Sequence, residues 1–261
     1  YPPYANILTA LGMRPLLLPC DASTRFQPTV AMLEHLHPRP AGLVLASPCN
    51  PAGTMLPPDE FIALARWCEA EGVRLISDEI YHGLTYGEVP ELCAASVSES
   101  AVVVNSFSKY WSMTGWRIGY TAGPVDVIKA MSSLQSQIAS GSNSIAQYAA
   151  EEALRSPKGR EEIERMHRAY DERRRHIVSR LNAIEGLKCV MPKGAFYVMV
   201  DMRALVGKHL GDRQIGGSMD FADMLLENAN VALTPGTAFC AEGYCRISYA
   251  TSMEQIDKGV D

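Results

Sequence analysis

The sequence predicts an α/β fold, a mostly parallel sheet forming a large domain, with a smaller α+β domain at the C-terminal end. Three observations predict it. Short apolar runs alternate with longer amphipathic stretches, the pattern of successive βα units. Polar residues gather where those runs end. Past the middle of one long charged segment the pattern changes to short strands and isolated helices.

The run Gly42-Leu-Val-Leu-Ala46 reads as a buried strand, ended by Ser47-Pro-Cys-Asn-Pro51. From about Asp59 a helix carries Phe61, Leu64, Ala65 and Cys68 at apolar spacing, and Gly72 is placed to terminate it. Val73–Ser77 and Ala101–Asn105 are the next strands, and Arg117–Ala122 is a fourth. Helices are predicted over Val125–Gln137 and Ser144–Leu154. A long charged helix follows from about Arg160 to Ile184, with Ile163, Met166, Tyr170, Ile177 and Leu181 recurring at helical spacing.

Beyond it, Leu187–Met191 and Phe196–Asp201 read as strands joined by the turn Pro192-Lys193-Gly194. A helix near Phe221–Asn228 and short strands at Val231–Leu233 and Cys245–Tyr249 complete the α+β part. The predicted boundary falls inside the long helix, giving residues 1–165 to the large domain and 166–261 to the small one. Tyr1-Pro-Pro-Tyr4 reads as the middle of a loop, and Ser252–Asp261 as a helix cut off in progress. The chain is therefore expected to be a fragment of a longer protein, missing the N-terminal portion of the large domain and the end of the small one.

A length of 261 residues with 47% hydrophobic residues suffices for a sizeable core. A net charge of −5 and no basic stripe argue against nucleic acid or an anionic membrane surface as partner. No apolar run reaches the length of a membrane span. Seven scattered cysteines form no CxxC pair, and the six histidines form no HExxH. Neither a disulfide framework nor a metal site is expected, and a reducing, cytoplasmic compartment follows.

The chemistry-bearing residues sit at the strand ends. Asn50 follows the first strand, Asp78 the second with Tyr81 close behind, and Ser106, Ser108 and Lys109 the third, while Arg117 opens the fourth. In open α/β sheets, ligands bind outside the carboxyl ends of parallel strands. Each residue also has a plainer reading. A lysine after a strand is commonly solvated, an aspartate there often caps a helix, and Asn50-Pro51 could be only a turn. Arg246 lies in a short alternating segment, where an arginine is commonly just an exposed strand residue.

Five segments then decide the matter together. Ser47-Pro-Cys-Asn-Pro-Ala-Gly-Thr54, Ser77-Asp-Glu-Ile-Tyr81, Asn105-Ser-Phe-Ser-Lys-Tyr110, Met113-Thr-Gly-Trp-Arg-Ile-Gly119 and Cys245-Arg-Ile-Ser248 resemble the class I/II aminotransferases of the fold type I pyridoxal-phosphate superfamily. They stand in the family's order and at compatible spacing along the whole chain. The resemblance implies pyridoxal 5'-phosphate as cofactor and amino transfer from an L-amino acid to a 2-oxo acid, within amino acid metabolism. Such a cofactor needs a lysine for a Schiff base, an anion against its pyridine nitrogen, donors to its phenolate oxygen, and cations with hydroxyls around its phosphate.

Position by position, the resemblance assigns the Schiff base and the proton shuttle to Lys109, and the pyridine nitrogen to Asp78. Tyr81 and Asn50 are assigned to the phenolate oxygen, lowering the Schiff-base pKa by favouring its deprotonated form. Ser106, Ser108 and Arg117 hold the phosphate, and Tyr1 stacks on the cofactor ring. Arg246, with Asn50 beside it, binds the substrate α-carboxylate. Two departures stand out. Gln135–Asn143, where aspartate-type members place an arginine for a second carboxylate, contains none; and Cys240 replaces a usual glycine. A homodimer is also implied. The rivals are a pyridoxal-phosphate lyase eliminating a β-substituent, and a non-catalytic regulator that senses an amino acid or the cofactor.

Overall fold

A computed structural model describes all residues from 1 to 261. In chain order the elements are α1 (Pro2–Ala10), α2 (Val30–Glu34), β1 (Gly42–Ala46), α3 (Pro58–Ala70), β2 (Arg74–Asp78), β3 (Val102–Ser106) and β4 (Gly119–Ala122). Then come α4 (Val125–Ala139), α5 (Ser144–Arg155), α6 (Pro157–Asn182), β5 (Lys188–Cys189) and β6 (Tyr197–Asp201). The hairpin β7 (His209–Leu210) and β8 (Arg213–Gln214), α7 (Ser218–Ala229), β9 (Thr234–Pro235), β10 (Tyr244–Ser248) and α8 (Met253–Val260) complete the chain. No helix is long and apolar enough to cross a membrane.

The chain divides into two compact units. One comprises Gln27–Pro48 and Met55–His167, the other Tyr1–Phe26, Cys49–Thr54 and Arg168–Asp261. In the first, β1, β2 and β3 are parallel neighbours, with Ala46 opposite Asp78 and Asp78 opposite Val104. Three strand ends therefore lie side by side. Alternation buries Leu43 and Leu45 of β1, and α3 turns Leu64, Ala65 and Cys68 inward. Full burial of each such leucine is worth about 1.5–3 kcal/mol. β4 is antiparallel to β3, Ser106 facing Gly119. The reason is the connection: a loop of twelve residues without a crossover helix turns the chain back on itself instead of carrying it round to a parallel strand.

The second unit is built on an antiparallel sheet, β5-β6-β10-β9. β6 is buried along Tyr197–Val200, and Arg246 of β10 stands opposite Met199. α7 packs Phe221, Ala222 and Met224 against this sheet's end.

Most predicted elements are found within a few residues, but three expectations need correction and one element is new. Pro2–Ala10 is helical, not a loop: Pro2 and Pro3 occupy its first turn, where a missing N–H costs nothing. Val231–Leu233 is not a strand, because pairing with β10 begins only at Thr234. Arg117 does not open β4: it ends a 3-10 turn at φ +53°, two residues before the strand starts. The β7–β8 hairpin, turning on Gly211 and Asp212, was not foreseen.

Candidate functional site

In the first unit the polar groups stand on the loops that leave β2 and β3. Asp78 ends β2 half-buried, and its Oδ1 accepts from the Ile80 N–H at 3.1 Å, which holds the carboxylate at the start of the following turn. Tyr81 is 3% exposed, and its carbonyl accepts from the Leu84 N–H at 2.9 Å. Gly83, at φ +83°, lies so close to Tyr110 that a Cβ would stand 2.4 Å from the tyrosine ring. The turn carrying Asp78 and Tyr81 is thus fitted against the residue that follows Lys109.

The loop from Ser106 to Ile118 is closed by its own bonds. The Phe107 N–H donates to the Ile118 carbonyl at 3.2 Å, Met113 N–H to the Phe107 carbonyl at 3.1 Å, and the Thr114 hydroxyl to the Ser108 carbonyl at 2.7 Å. Phe107, Met113 and Ile118 pack with Ala146 and Ala150 beneath it. The Ser106 hydroxyl lies 2.9 Å from that of Ser108 and also accepts from the Ser108 N–H at 3.0 Å. Beside them opens a cavity of about 170 Å³ lined by Ser106, Ser108, Arg117, Ile118 and Gly119. Its charged lining group is a guanidinium and its other side-chain donors are two hydroxyls. No carboxylate lines it, and none forms an ion pair with Arg117, whose Nη1 donates to the Thr114 carbonyl at 2.9 Å. That donor set suits an oxyanion such as a phosphate. Lys109 is half-buried and adjoins Ser108.

In the second unit Arg246 is held from four sides. Nη1 donates to Asn50 Oδ1 at 2.9 Å and Nη2 to Thr234 Oγ1 at 3.1 Å. The guanidinium lies 4.5 Å from the Tyr197 ring centroid and 5.1 Å from that of Phe239. Its Nε is buried with no partner. A guanidinium has five N–H donors, so three remain unused here, and no carboxylate forms an ion pair with it. An arginine fixed between rings with its fork undersupplied with acceptors is prepared for a carboxylate.

The turn that brings Thr234 and Phe239 to Arg246 depends on Gly236, where a Cβ would lie 2.0 Å from the Ala241 carbonyl oxygen. Glu242 braces it, accepting from the Ser218 N–H at 2.7 Å, the Ser218 hydroxyl at 3.0 Å and the Gly243 N–H at 2.9 Å. Those bonds, led by the Ser218 N–H, hold its carboxyl below the usual glutamate range. Cys240 sits at φ +57°. Only glycine takes this conformation freely, which gives a physical reason for a glycine at this place.

The structure thus brings Asp78, Tyr81, Ser106, Ser108, Lys109 and Arg117 onto neighbouring loops of one unit, and Asn50 and Arg246 into contact in the other. Tyr1 is 53% exposed, with its ring edge-on to Tyr4 at 5.4 Å. Thr234, Tyr197 and Phe239 went unforeseen. Nothing in the composition of Thr234–Phe239 says that it meets Arg246. The cysteines are all free, and burial pushes the thiols of Cys68 and Cys189 up to about 11 and that of Cys245 to about 12. Those three pack as small apolar groups.

The chain is also similar to known proteins. The whole chain, residues 1–261, matches the family "Aminotransferase class I and II". A valine–pyruvate aminotransferase from Mycobacterium tuberculosis is 39% identical over all of this chain and 66% of its own length. An aspartate aminotransferase from Geobacillus stearothermophilus is 42% identical, over 86% of this chain and 56% of its own. Among solved structures, an aspartate aminotransferase from Rhizobium meliloti superimposes with a TM-score of 0.94 at 35% identity, covering all of this chain and 66% of that one. The chain therefore spans 56% to 66% of the length of these relatives, and it has their fold type I architecture. It belongs to the class I and II aminotransferase family.

Proposed function

We propose that this chain acts as part of a pyridoxal 5'-phosphate-dependent aminotransferase, moving an amino group from an L-amino acid to a 2-oxo acid. The observation that carries the reading is the cavity lined by Ser106, Ser108 and Arg117, adjoining Lys109 and one strand away from Asp78. The lining fits a phosphate, because it offers a cation and hydroxyls and no competing carboxylate. When bound, the cofactor supplies an electron sink that stabilises a carbanion at the substrate α-carbon.

The chain's own residues do the rest. The Lys109 amine anchors the cofactor covalently and, once displaced by substrate, takes a proton at Nζ and returns it. The Asp78 carboxylate keeps the facing ring nitrogen protonated. The Tyr81 and Asn50 side chains donate to the phenolate oxygen. Tyr1 is proposed to cover the cofactor ring. Arg246 receives the substrate α-carboxylate on its three unused N–H groups, and Tyr197 and Phe239 exclude water around that ion pair. The relatives' names differ in substrate, so the donor is proposed only as an L-amino acid. We also propose a homodimer and a reducing, cytoplasmic setting. The seven free thiols support the setting, and the family resemblance supports the homodimer.

The test is the visible absorption of the full-length protein with pyridoxal phosphate, in wild-type and Lys109→Ala forms. A band that requires Lys109, bleaches with some amino acids and recovers with a 2-oxo acid is the expected result. Product released without any 2-oxo acid would point to the lyase reading, and a band that no amino acid bleaches to the sensor. A band unchanged in Lys109→Ala would overturn the assignment of the anchor.

A further inference from the structure

We infer that Glu79 is a positioning residue for the turn that carries Asp78 and Tyr81, acting by the reach of its carboxylate and not by its charge. The inference rests on the functional reading above. Glu79 is 2% exposed, an unusual place for a carboxylate unless it is fully partnered. Its partners come from three directions. Oε1 accepts from the Ser77 hydroxyl at 3.0 Å and from the Ala94 N–H at 2.7 Å, and Oε2 lies 3.3 Å from His82 Nδ1. Cys93 faces the same carboxylate, and its thiol is held up first by burial and next by that bond. Tyr120 of β4 also feels the charge, although burial is the main cause of its raised pKa.

These contacts tie together β2, the turn after it and the segment around Ala94. The Glu79 N–H donates to the Val104 carbonyl of β3 at 2.8 Å, and its carbonyl accepts from the His82 N–H at 3.0 Å. Ser77 of β2 and Glu79 just beyond its end are both buried, and Asp78 between them is half-buried and alternates to the other side. Fixing Glu79 on one side therefore fixes the direction of Asp78 on the other. Tyr81 follows in the same turn, with its carbonyl bonded to the Leu84 N–H. Nothing in these contacts requires a net charge. A neutral amide oxygen accepts the same two bonds, and an amide N–H can donate to His82 Nδ1.

Two isosteric tests separate reach from charge. E79Q keeps the reach and drops the charge, while E79D keeps the charge and withdraws it by one methylene. Both are loaded with pyridoxal phosphate in the full-length protein, and two quantities are read: the dissociation constant of the cofactor and the pH midpoint of its visible band. Positioning expects E79Q to bind within twofold of wild type with an unchanged midpoint. E79D should bind about tenfold more weakly, with the midpoint moved up by about half a unit or more, because a displaced Tyr81 no longer favours the deprotonated form. A purely structural role would lower the melting temperature of the cofactor-free variants without moving the midpoint. Should E79D not fold, Ser77→Ala carries the same expectation at two- to threefold. Both variants behaving as wild type, E79Q failing as badly as E79D, or E79Q failing while E79D holds would each overturn the inference. A wild-type protein with no Lys109-dependent band would overturn the functional reading itself, and this inference with it.

Discussion

The two clusters of polar groups are built by different means. In the unit that carries Lys109, Asp78 and Ser106 end strands, Tyr81, Ser108, Lys109 and Arg117 stand on the loops that follow, and the strands are fixed by a parallel ladder. In the unit that carries Arg246, the site is assembled from four separate segments, around Asn50, Tyr197, Thr234–Phe239 and Arg246 itself. The first design depends on secondary structure and the second on loop shape. A change in a loop glycine should therefore cost the second more than the first.

Gly236 and Gly83 provide that comparison, and the largest expected effect. At Gly236 an added Cβ meets backbone oxygens of Ala241 and Tyr244 at 2.0 and 2.3 Å, and backbone cannot swing aside. Gly236→Ala should destabilise by at least about 3 kcal/mol. At Gly83 the obstacle is the Tyr110 ring at 2.4 Å, a side chain with some freedom to rotate, although φ of +83° adds strain. Gly83→Ala should cost about 2 kcal/mol. Urea unfolding of both variants decides the matter, and an equal loss would mean that the two regions are equally rigid.

What was legible in the sequence follows the same division. β1, β2 and β3, and the residues leaving them, could be read because a buried parallel strand is an apolar run with a sharp end. The places of Asp78, Ser106, Ser108 and Lys109 at or just after strand ends followed from that, while the roles proposed for them rest on the family resemblance. The surroundings of Arg246 could not be read, because Tyr197, Thr234 and Phe239 meet it through tertiary packing across 7 to 49 positions of sequence. The direction of β4 was missed for a related reason: strand periodicity does not record which way a strand runs. Tyr1-Pro-Pro-Tyr4 reads as a loop, yet prolines in a first turn start a helix there.

Within the Arg246 region, two substitutions grade its parts by their effect on turnover. Arg246→Ala removes the cation proposed to receive the substrate carboxylate, and on that reading should lower kcat/KM by about 100-fold or more, equivalent to about 3 kcal/mol. Thr234→Val removes one bond to the guanidinium and leaves Asn50 and both rings in place. Its loss should be about tenfold, roughly 1.5 kcal/mol, expressed mainly in KM. Steady-state kinetics with a single amino acid donor measures both. If Thr234→Val were as damaging as Arg246→Ala, the orientation of the fork, and not its charge, would dominate binding.

The smallest effect concerns Cys240, on the same turn. A non-glycine residue in the left-handed region costs about 1–2 kcal/mol, and Cys240 is exposed at φ +57°, with little packing to offset the strain. Glycine removes it but leaves the unfolded chain freer, which returns about 0.4–1 kcal/mol. Cys240→Gly should therefore stabilise by roughly 0.5 kcal/mol and raise the melting temperature by about 1–2 °C. Calorimetry on the two proteins would show it. A lower melting temperature would mean that the Cys240 side chain contributes a contact worth more than the strain, and that the loop around Arg246 is held by more than Gly236 and Glu242.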